Sequence, residues 1–230
     1  MTHVFDPLPP TLAPTTDGQQ LAVRRVFCVG RNYADHAREM GGDPDREPPF
    51  FFTAWAETVV PDGAVIAWPS GTDDYHHEVE LVVVIGRTGR DIEPAHALDH
   101  VYGYAVGLDM TRRDLQAVAR TAGRPWDTAK NVEQGKPMGP IRPADGFDPG
   151  RGRITLSVNG VVRQDGDLSD QIWSVAEVIA ALSRLYTLQP GDLIYTGTPS
   201  GVGPVRPGDT LRAAIEALPA LSITVGEAGA

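Results

Sequence analysis

The sequence predicts an α+β fold that is mainly β, a mixed β-sheet structure with a few covering helices. Three observations lead there. Short β-branched and apolar runs outnumber helical ones. They do not alternate regularly with helices, which disfavours doubly wound and barrel α/β architectures. The sharpest local signal is a hairpin, ITLSV and VVRQ joined by Asn159-Gly160, the pair that a type I′ turn requires. The chain has 230 residues, a length at which β-rich folds are commonly single domains, and it can bury roughly three quarters of its unfolded surface. Residues 1–20, rich in Pro and Thr, are expected to form an extended N-terminal arm, and residues 21–230 a single domain.

Charge and composition narrow the partners. The formal net charge is −10, and no run of Lys or Arg interrupts it, which argues against nucleic acid and acidic membrane surfaces. Cys28 is the single cysteine, so no intrachain disulfide can form. The N-terminal MTHVFDPLPP carries Asp6 and three prolines where a signal peptide needs an apolar run. The apolar stretches fall far short of spanning length. These features point to a soluble protein of a reducing compartment, the cytoplasm.

In chain order, residues 23–30 (VRRVFCVG) read as a strand closing at Gly30, with Cys28 a small buried core residue. Asn32 can cap a short helix that Gly41 ends. On it His36 and Glu39, three apart, share a face. A carboxylate beside a histidine fixes its tautomer and raises its basicity, as a general base needs; a structural His–Glu pair would read the same way. Residues 42–50 form a polar, proline-broken loop. Short apolar pieces follow at 50–52 and 58–60, with a turn at 61–63.

The stretch DDYHHEVELVVVIG (73–86) is the centre of the chain. Its apolar second half, 81–85, reads as a buried strand. Glu78 and Glu80, two apart at the strand mouth, point to one face. They repel unless positive charge lies between them. A hard divalent cation with oxygen ligands is one remedy; a solvated strand end is the other. His76 and His77 precede the pair, and alternation turns His77 away from both glutamates, toward a structural role. Residues 101–108 (VYGYAVGL) form a second apolar strand and deliver a third carboxylate, Asp109, at its tip. Strand tips are rigid and open, which suits ligands and catalytic groups.

Residues 111–122 read as a helix, with Thr111 and Asp114 at capping-box spacing and Gly123 with Pro125 as the stop. Arg113 and Gln116 share a face of its first turn, next to Asp109. Residues 126–140 read as a loop holding Lys130. Residues 174–186 give the clearest helix, capped by Ser174 and Glu177, with Val175, Val178, Ile179, Leu182 and Leu185 at helical spacing. A turn at 190–192 leads to a strand at 193–195 and then to TGTPSGVG. This glycine-rich loop lacks the lysine of a phosphate loop and the spacing of a dinucleotide fingerprint. It suits close backbone approach to a small ligand. Two more strands are expected between 205 and 225.

Five segments together resemble the fumarylacetoacetate hydrolase superfamily, over nearly all of the chain from Val23 onward. They are VGRNY with His36 and Glu39; Glu78-Val79-Glu80-Leu81; Gly107-Leu108-Asp109-Met110-Thr111; Lys130 with Met138-Gly139-Pro140; and Gly191-Asp192 through Thr196-Gly197-Thr198-Pro199. Within it, the Arg112–Gln116 helix start and the GDL and IWSV stretch (166–168, 172–175) are most similar to the fumarylpyruvate hydrolases of gentisate breakdown. The resemblance implies a mixed β-sheet roll of that family's C-terminal type, a single catalytic domain and a homodimer. It implies that Glu78, Glu80 and Asp109 hold one Mg²⁺ or Mn²⁺, Ca²⁺ being a further hard ion of the same kind. It implies a His36–Glu39 base pair on a lid over the substrate, and a substrate site lined by Arg31, Tyr33, Arg113, Gln116, Lys130 and Thr198.

The implied chemistry is cleavage of the C–C bond of a 3-acylpyruvate, an oxo-acid or dicarboxylate substrate, to pyruvate and a second acid. Glu39 would orient His36, His36 would take a proton from the attacking water, and Lys130 with Gln116 would steady the oxyanion. The ion would hold the 2-oxo-acid end. The same centre without water attack would make a 2-oxo-acid decarboxylase or keto–enol isomerase. Two segments depart from the family pattern. Thr53-Ala54-Trp55 replaces the common lysine and proline after Phe52, and Lys130 continues into Asn131-Val132-Glu133 instead of an aromatic residue and an aspartate.

Overall fold

A computed structural model describes residues 3–6, 8–34 and 47–228. Its centre is an eight-stranded mixed sheet. Across it run β4 (Phe50–Ala54), β3 (Arg25–Gly30), β15 (Asp192–Tyr195), β8 (Val79–Ile85), β9 (Val101–Leu108), β11 (Lys136–Met138) and β5 (Val59–Pro61), and β12 (Arg142–Pro143) joins β9 from the side. A five-stranded sheet follows the order β14 (Val161–Asp167), β13 (Arg153–Val158), β17 (Thr210–Ile215), β18 (Leu221–Ala228) and β6 (Val65–Trp68). A small sheet of β10 (Thr111–Arg112), β7 (Tyr75–His77) and β16 (Gly203–Pro204) lies at the mouth of β8. Within the N-terminal segment, β1 (Leu12–Pro14) and β2 (Gln20–Ala22) form a hairpin, and Pro14 accepts from the Ile141 amide at 2.9 Å.

The central strand β8 is buried at every residue, which accounts for its continuous apolar run: both faces of the large sheet are covered. Leu81, Val83 and Ile85 enter one core with Phe27, Tyr104, Val106 and Ile194. The five-stranded sheet adds Ile154, Leu156 and Ile223 to it, and helix α3 (Val175–Leu185) adds Val178, Ile179 and Leu182. Val82 and Val84 face a second core with Val26, Cys28, Leu193 and Ala13. Among the described residues no helix is long and apolar enough to cross a membrane.

Local signals map closely onto elements. Asn159 and Gly160 have φ of 51° and 78°, so both central residues of the β13–β14 turn take the left-handed conformation of a type I′ turn. Ser174 caps α3 in a reciprocal capping box with Glu177. The expected 111–122 helix starts two residues late, as α1 (Arg113–Thr121). Thr111 and Arg112 instead pair with His76 and Tyr75, because a strand edge there offers backbone partners that a first helical turn lacks. Asp114 takes no part in a capping box with Thr111; its carboxylate accepts from the Thr72 hydroxyl at 2.6 Å and the Asp73 amide at 3.2 Å. The expected 126–140 loop contains a one-turn helix, α2 (Asp127–Lys130), as well as β11.

Candidate metal centre

Glu78 and Asp109 stand opposite each other where β8 and β9 begin and end, and the Asp109 amide donates to the Glu78 carbonyl at 2.8 Å. Glu80 follows on the same side of β8. Ligand atoms from the three carboxylates lie within 4.8 Å of one another, and all three residues are buried. Like charges on facing strand positions destabilise a sheet unless compensated, and three basic side chains compensate. Arg113 from α1 bonds Glu78 Oε1 and Gln116 Oε1. Lys130 at the end of α2 donates to Glu78 Oε2 at 2.7 Å, Asp109 Oδ2 at 3.0 Å and Thr111 Oγ1 at 2.7 Å. Lys136 at the start of β11 donates to Asp109 Oδ1 at 2.6 Å and to the Lys130 carbonyl at 2.8 Å. Glu80 accepts from the Gly197 amide at 2.7 Å.

Burial, reinforced by the charges of Asp109 and Glu78, holds the Glu80 carboxyl well above the usual carboxylate range. Burial pulls the Lys130 ammonium toward neutrality, yet Asp109 and Glu78 outweigh it and leave its pKa above the ordinary lysine value. Buried oxygen donors at this spacing, with no sulfur or imidazole among them, fit a hard divalent ion such as Mg²⁺ or Mn²⁺.

The triad opens into a narrow cleft. Arg31, Arg113, Gln116, Lys130 and Thr198 of the expected substrate set line it, as do all three acids. Arg31 takes a left-handed φ of 57° just past β3, a conformation costly for a side-chain-bearing residue. Tyr33 is 1% exposed and bridges to Gln171 through its backbone, away from the cleft lining. His36 and Glu39 lie outside the described residues.

Sequence reasoning missed several residues at this site. Phe52, Trp126 and Arg120 also line the cleft, and the Phe52 and Trp126 rings meet at 5.8 Å. Gln164, wholly buried on β14, sits behind Thr198. Its Oε1 accepts from the Val79 amide at 3.1 Å, which fixes the orientation of its amide. The His77 Nδ1 contact at 3.0 Å then donates to the same oxygen. Gln164 Nε2 donates to Thr198 Oγ1 at 2.7 Å and to the Pro199 carbonyl at 2.9 Å. Thr198 therefore receives one hydrogen bond from behind and keeps its own proton for the cleft. Composition held a signal for Lys136: the chain has only two lysines against eighteen arginines, and both lie at 130–136.

The two departures from the family pattern touch each other. Asn131 Oδ1 accepts from the Trp55 amide at 2.8 Å, and its Nδ2 donates to the Thr53 carbonyl at 3.3 Å.

Comparison with known proteins agrees with this geometry. The chain is 49% identical over 186 residues to the fumarylpyruvate hydrolase of a Ralstonia species, covering 81% of this chain and 97% of that one. The crystal structure of Pseudomonas aeruginosa fumarylpyruvate hydrolase in complex with Mn²⁺ and pyruvate superposes with a TM-score of 0.96 at 50% identity, covering 98% of this chain and all of that one. Human mitochondrial oxaloacetate tautomerase is 42% identical over 206 residues, 88% of this chain and 91% of its own. Residues 25–226 match the model of the fumarylacetoacetate hydrolase C-terminal domain, and the chain belongs to that family.

Proposed function

We propose that this protein is a divalent-metal-dependent hydrolase that cleaves the C–C bond of a 3-acylpyruvate, converting fumarylpyruvate to fumarate and pyruvate. The observation that carries this reading is the buried Glu78–Glu80–Asp109 triad opening into a cleft lined by basic and hydroxyl groups. A structural relative with half its sequence in common holds Mn²⁺ and pyruvate. When bound, the ion supplies a Lewis acid for the carboxylate and 2-oxo oxygens of the pyruvate half.

The chain's own residues do the rest. Arg113, held by Glu78 and Gln116, and the Thr198 hydroxyl, aimed by Gln164, orient the anionic substrate. Glu39 orients His36, and His36 takes a proton from a water whose oxygen bonds to the distal carbonyl carbon. The three N–H groups of Lys130 point at protein oxygens, so Lys130 steadies the oxyanion chiefly through its charge. As the C–C bond breaks, its electron pair passes to the pyruvate half, and the proton on His36 goes to pyruvate C3. The resemblance on which this reading rests also implies a homodimer serving gentisate breakdown, and the single cysteine with the proline-rich N-terminus supports a cytoplasmic setting.

A second reading, keto–enol isomerisation or decarboxylation of a 2-oxo-acid, draws support from the likeness to oxaloacetate tautomerase. It uses the same centre without water attack. The deciding experiment incubates chelator-treated protein with fumarylpyruvate, acetylpyruvate or oxaloacetate, with and without Mg²⁺ or Mn²⁺. Metal-dependent release of pyruvate and fumarate, abolished in His36→Ala, supports the hydrolase. Carbon dioxide release or tautomer exchange with no acylpyruvate cleavage assigns the second reading instead.

A further inference from the structure

Lys136 is as buried as any residue of the core, at 0% exposure, yet its side chain forms an ion pair with Asp109. A buried ammonium persists only where carboxylates and hydrogen bonds repay its lost hydration. Here one proton meets Asp109 Oδ1 at 2.6 Å and another the Lys130 carbonyl at 2.8 Å. The two lysines of the chain thus grip the two oxygens of one carboxylate, Lys136 on Oδ1 and Lys130 on Oδ2. Their surroundings differ. Lys130 lines the cleft, where substrate or an ion can reach it; Lys136 is absent from the cleft lining and approaches Asp109 from the protein side. In a chain with eighteen arginines the compact ammonium is used at these two positions.

We infer that Lys136 is a built-in counter-ion of the metal centre, a positioning residue that holds the Asp109 carboxylate from behind and limits the centre's affinity for its ion. This rests on the reading of the triad as a metal site. Three carboxylates face three cations, Arg113, Lys130 and Lys136. The basic groups allow the acids to lie together without an ion, and they repel any ion that arrives. Lys130 borders the cleft, whereas Lys136 is enclosed on the protein side, and its charge acts on the metal-free and the metal-loaded protein alike. Two effects of removing it oppose each other. Loss of the hydrogen bond frees Asp109 and weakens binding by the modest amount that one side-chain contact supplies. Loss of a full positive charge next to a ligand carboxylate, in a buried site, strengthens attraction for a doubly charged ion by more. The net effect is tighter binding.

The test is a Mn²⁺ titration followed by the electron paramagnetic resonance signal of the free ion, on wild type, Lys136→Met and Lys136→Gln, with thermal melts of each in chelator. Lys136→Met should lower the metal-free Tm and bind Mn²⁺ at least tenfold more tightly than wild type. A variant that folds only with Mn²⁺ present is titrated by chelator competition, and Lys136→Gln, which keeps a hydrogen-bond donor without the charge, should show the same tightening. Affinity that is unchanged or weaker in both variants overturns the inference, since a merely structural lysine would leave affinity alone or reduce it. If wild type itself binds no Mn²⁺, the metal reading has failed; if wild type binds and the variants bind no more tightly, only the role of Lys136 has.

Discussion

Glu80 has the least direct charge compensation of the three acids, with a backbone amide as its hydrogen-bond donor. Burial and the neighbouring charges of Asp109 and Glu78 raise its pKa well above the carboxylate range. A carboxyl whose folded pKa lies above its unfolded one favours the fold fully below the unfolded value, and that contribution is lost as pH rises through the folded pKa. In metal-free protein the triad therefore retains a proton at pH values where an exposed glutamate would have lost it. Mn²⁺ must displace that proton. Calorimetric titration in two buffers of different ionisation enthalpy should show proton release on Mn²⁺ uptake and an affinity that falls as pH is lowered. Uptake without proton release would contradict this account. Thr198 offers a second residue-level test. With Gln164 filling one lone pair, its hydroxyl proton is left to donate to an anionic oxygen of a bound substrate under the proposed function. A charge-assisted hydrogen bond contributes about 1.5–3 kcal/mol, so Thr198→Val should raise KM roughly ten- to hundredfold, and the buried Gln164 N–H that it leaves without its acceptor should also lower Tm. An unchanged KM would show that this hydroxyl does not meet substrate.

The elements that the sequence reveals are those specified by neighbours along the chain. The Asn159-Gly160 hairpin and the Ser174–Glu177 cap need only residues within a few positions of one another, and both form as expected. The start of α1 depends on a strand edge thirty-odd positions away, at Tyr75 and His76, and local capping signals gave no sign of it. The glycine-rich loop after β15 shows how such distant constraints act. Gly197 has φ of +99°, and an added Cβ would lie 2.7 Å from Asn32 Cβ. Asn32 cannot move aside readily, because its side chain bonds the Trp173 amide and the Trp173 and Thr196 carbonyls. The Gly197 amide in turn fixes Glu80. Gly197→Ala should lose about 2–5 kcal/mol of stability from backbone strain plus overpacking, measured by urea unfolding, and should weaken Mn²⁺ binding as the strained backbone shifts the amide that donates to Glu80. A variant within about 0.5 kcal/mol of wild type, the range of neutral surface changes, would show that the loop relaxes freely.

For the molecule as a whole, the three acids could be singled out in the sequence by type and by their places at strand ends, but their meeting could not. Asp109 faces Glu78 because of the β8–β9 register, and Gln164 reaches Val79 across 85 positions of chain; sheet register is a global property that no local pattern encodes. Lys136 escaped notice because a lysine opening a short apolar strand usually lies in water, and only the assembled sheet shows it buried. The same architecture determines what removing the metal should do. Two apolar cores line the two faces of the large sheet, and neither needs an ion. At the triad Glu78 and Asp109 are already paired with Arg113, Lys130 and Lys136, and burial favours the protonated form of Glu80, unlike a small zinc domain, whose fold exists only with its metal. Chelator-treated protein should therefore keep its far-UV circular dichroism and one cooperative melt. Added Mn²⁺ should then raise Tm by mass action alone, about 2.7 kcal/mol at a hundredfold excess over Kd, or roughly 5–11 °C for a domain of this size. An unfolded chelated state would mean that the basic residues do not balance the acids, and a Tm indifferent to Mn²⁺ would mean that the triad does not hold the ion.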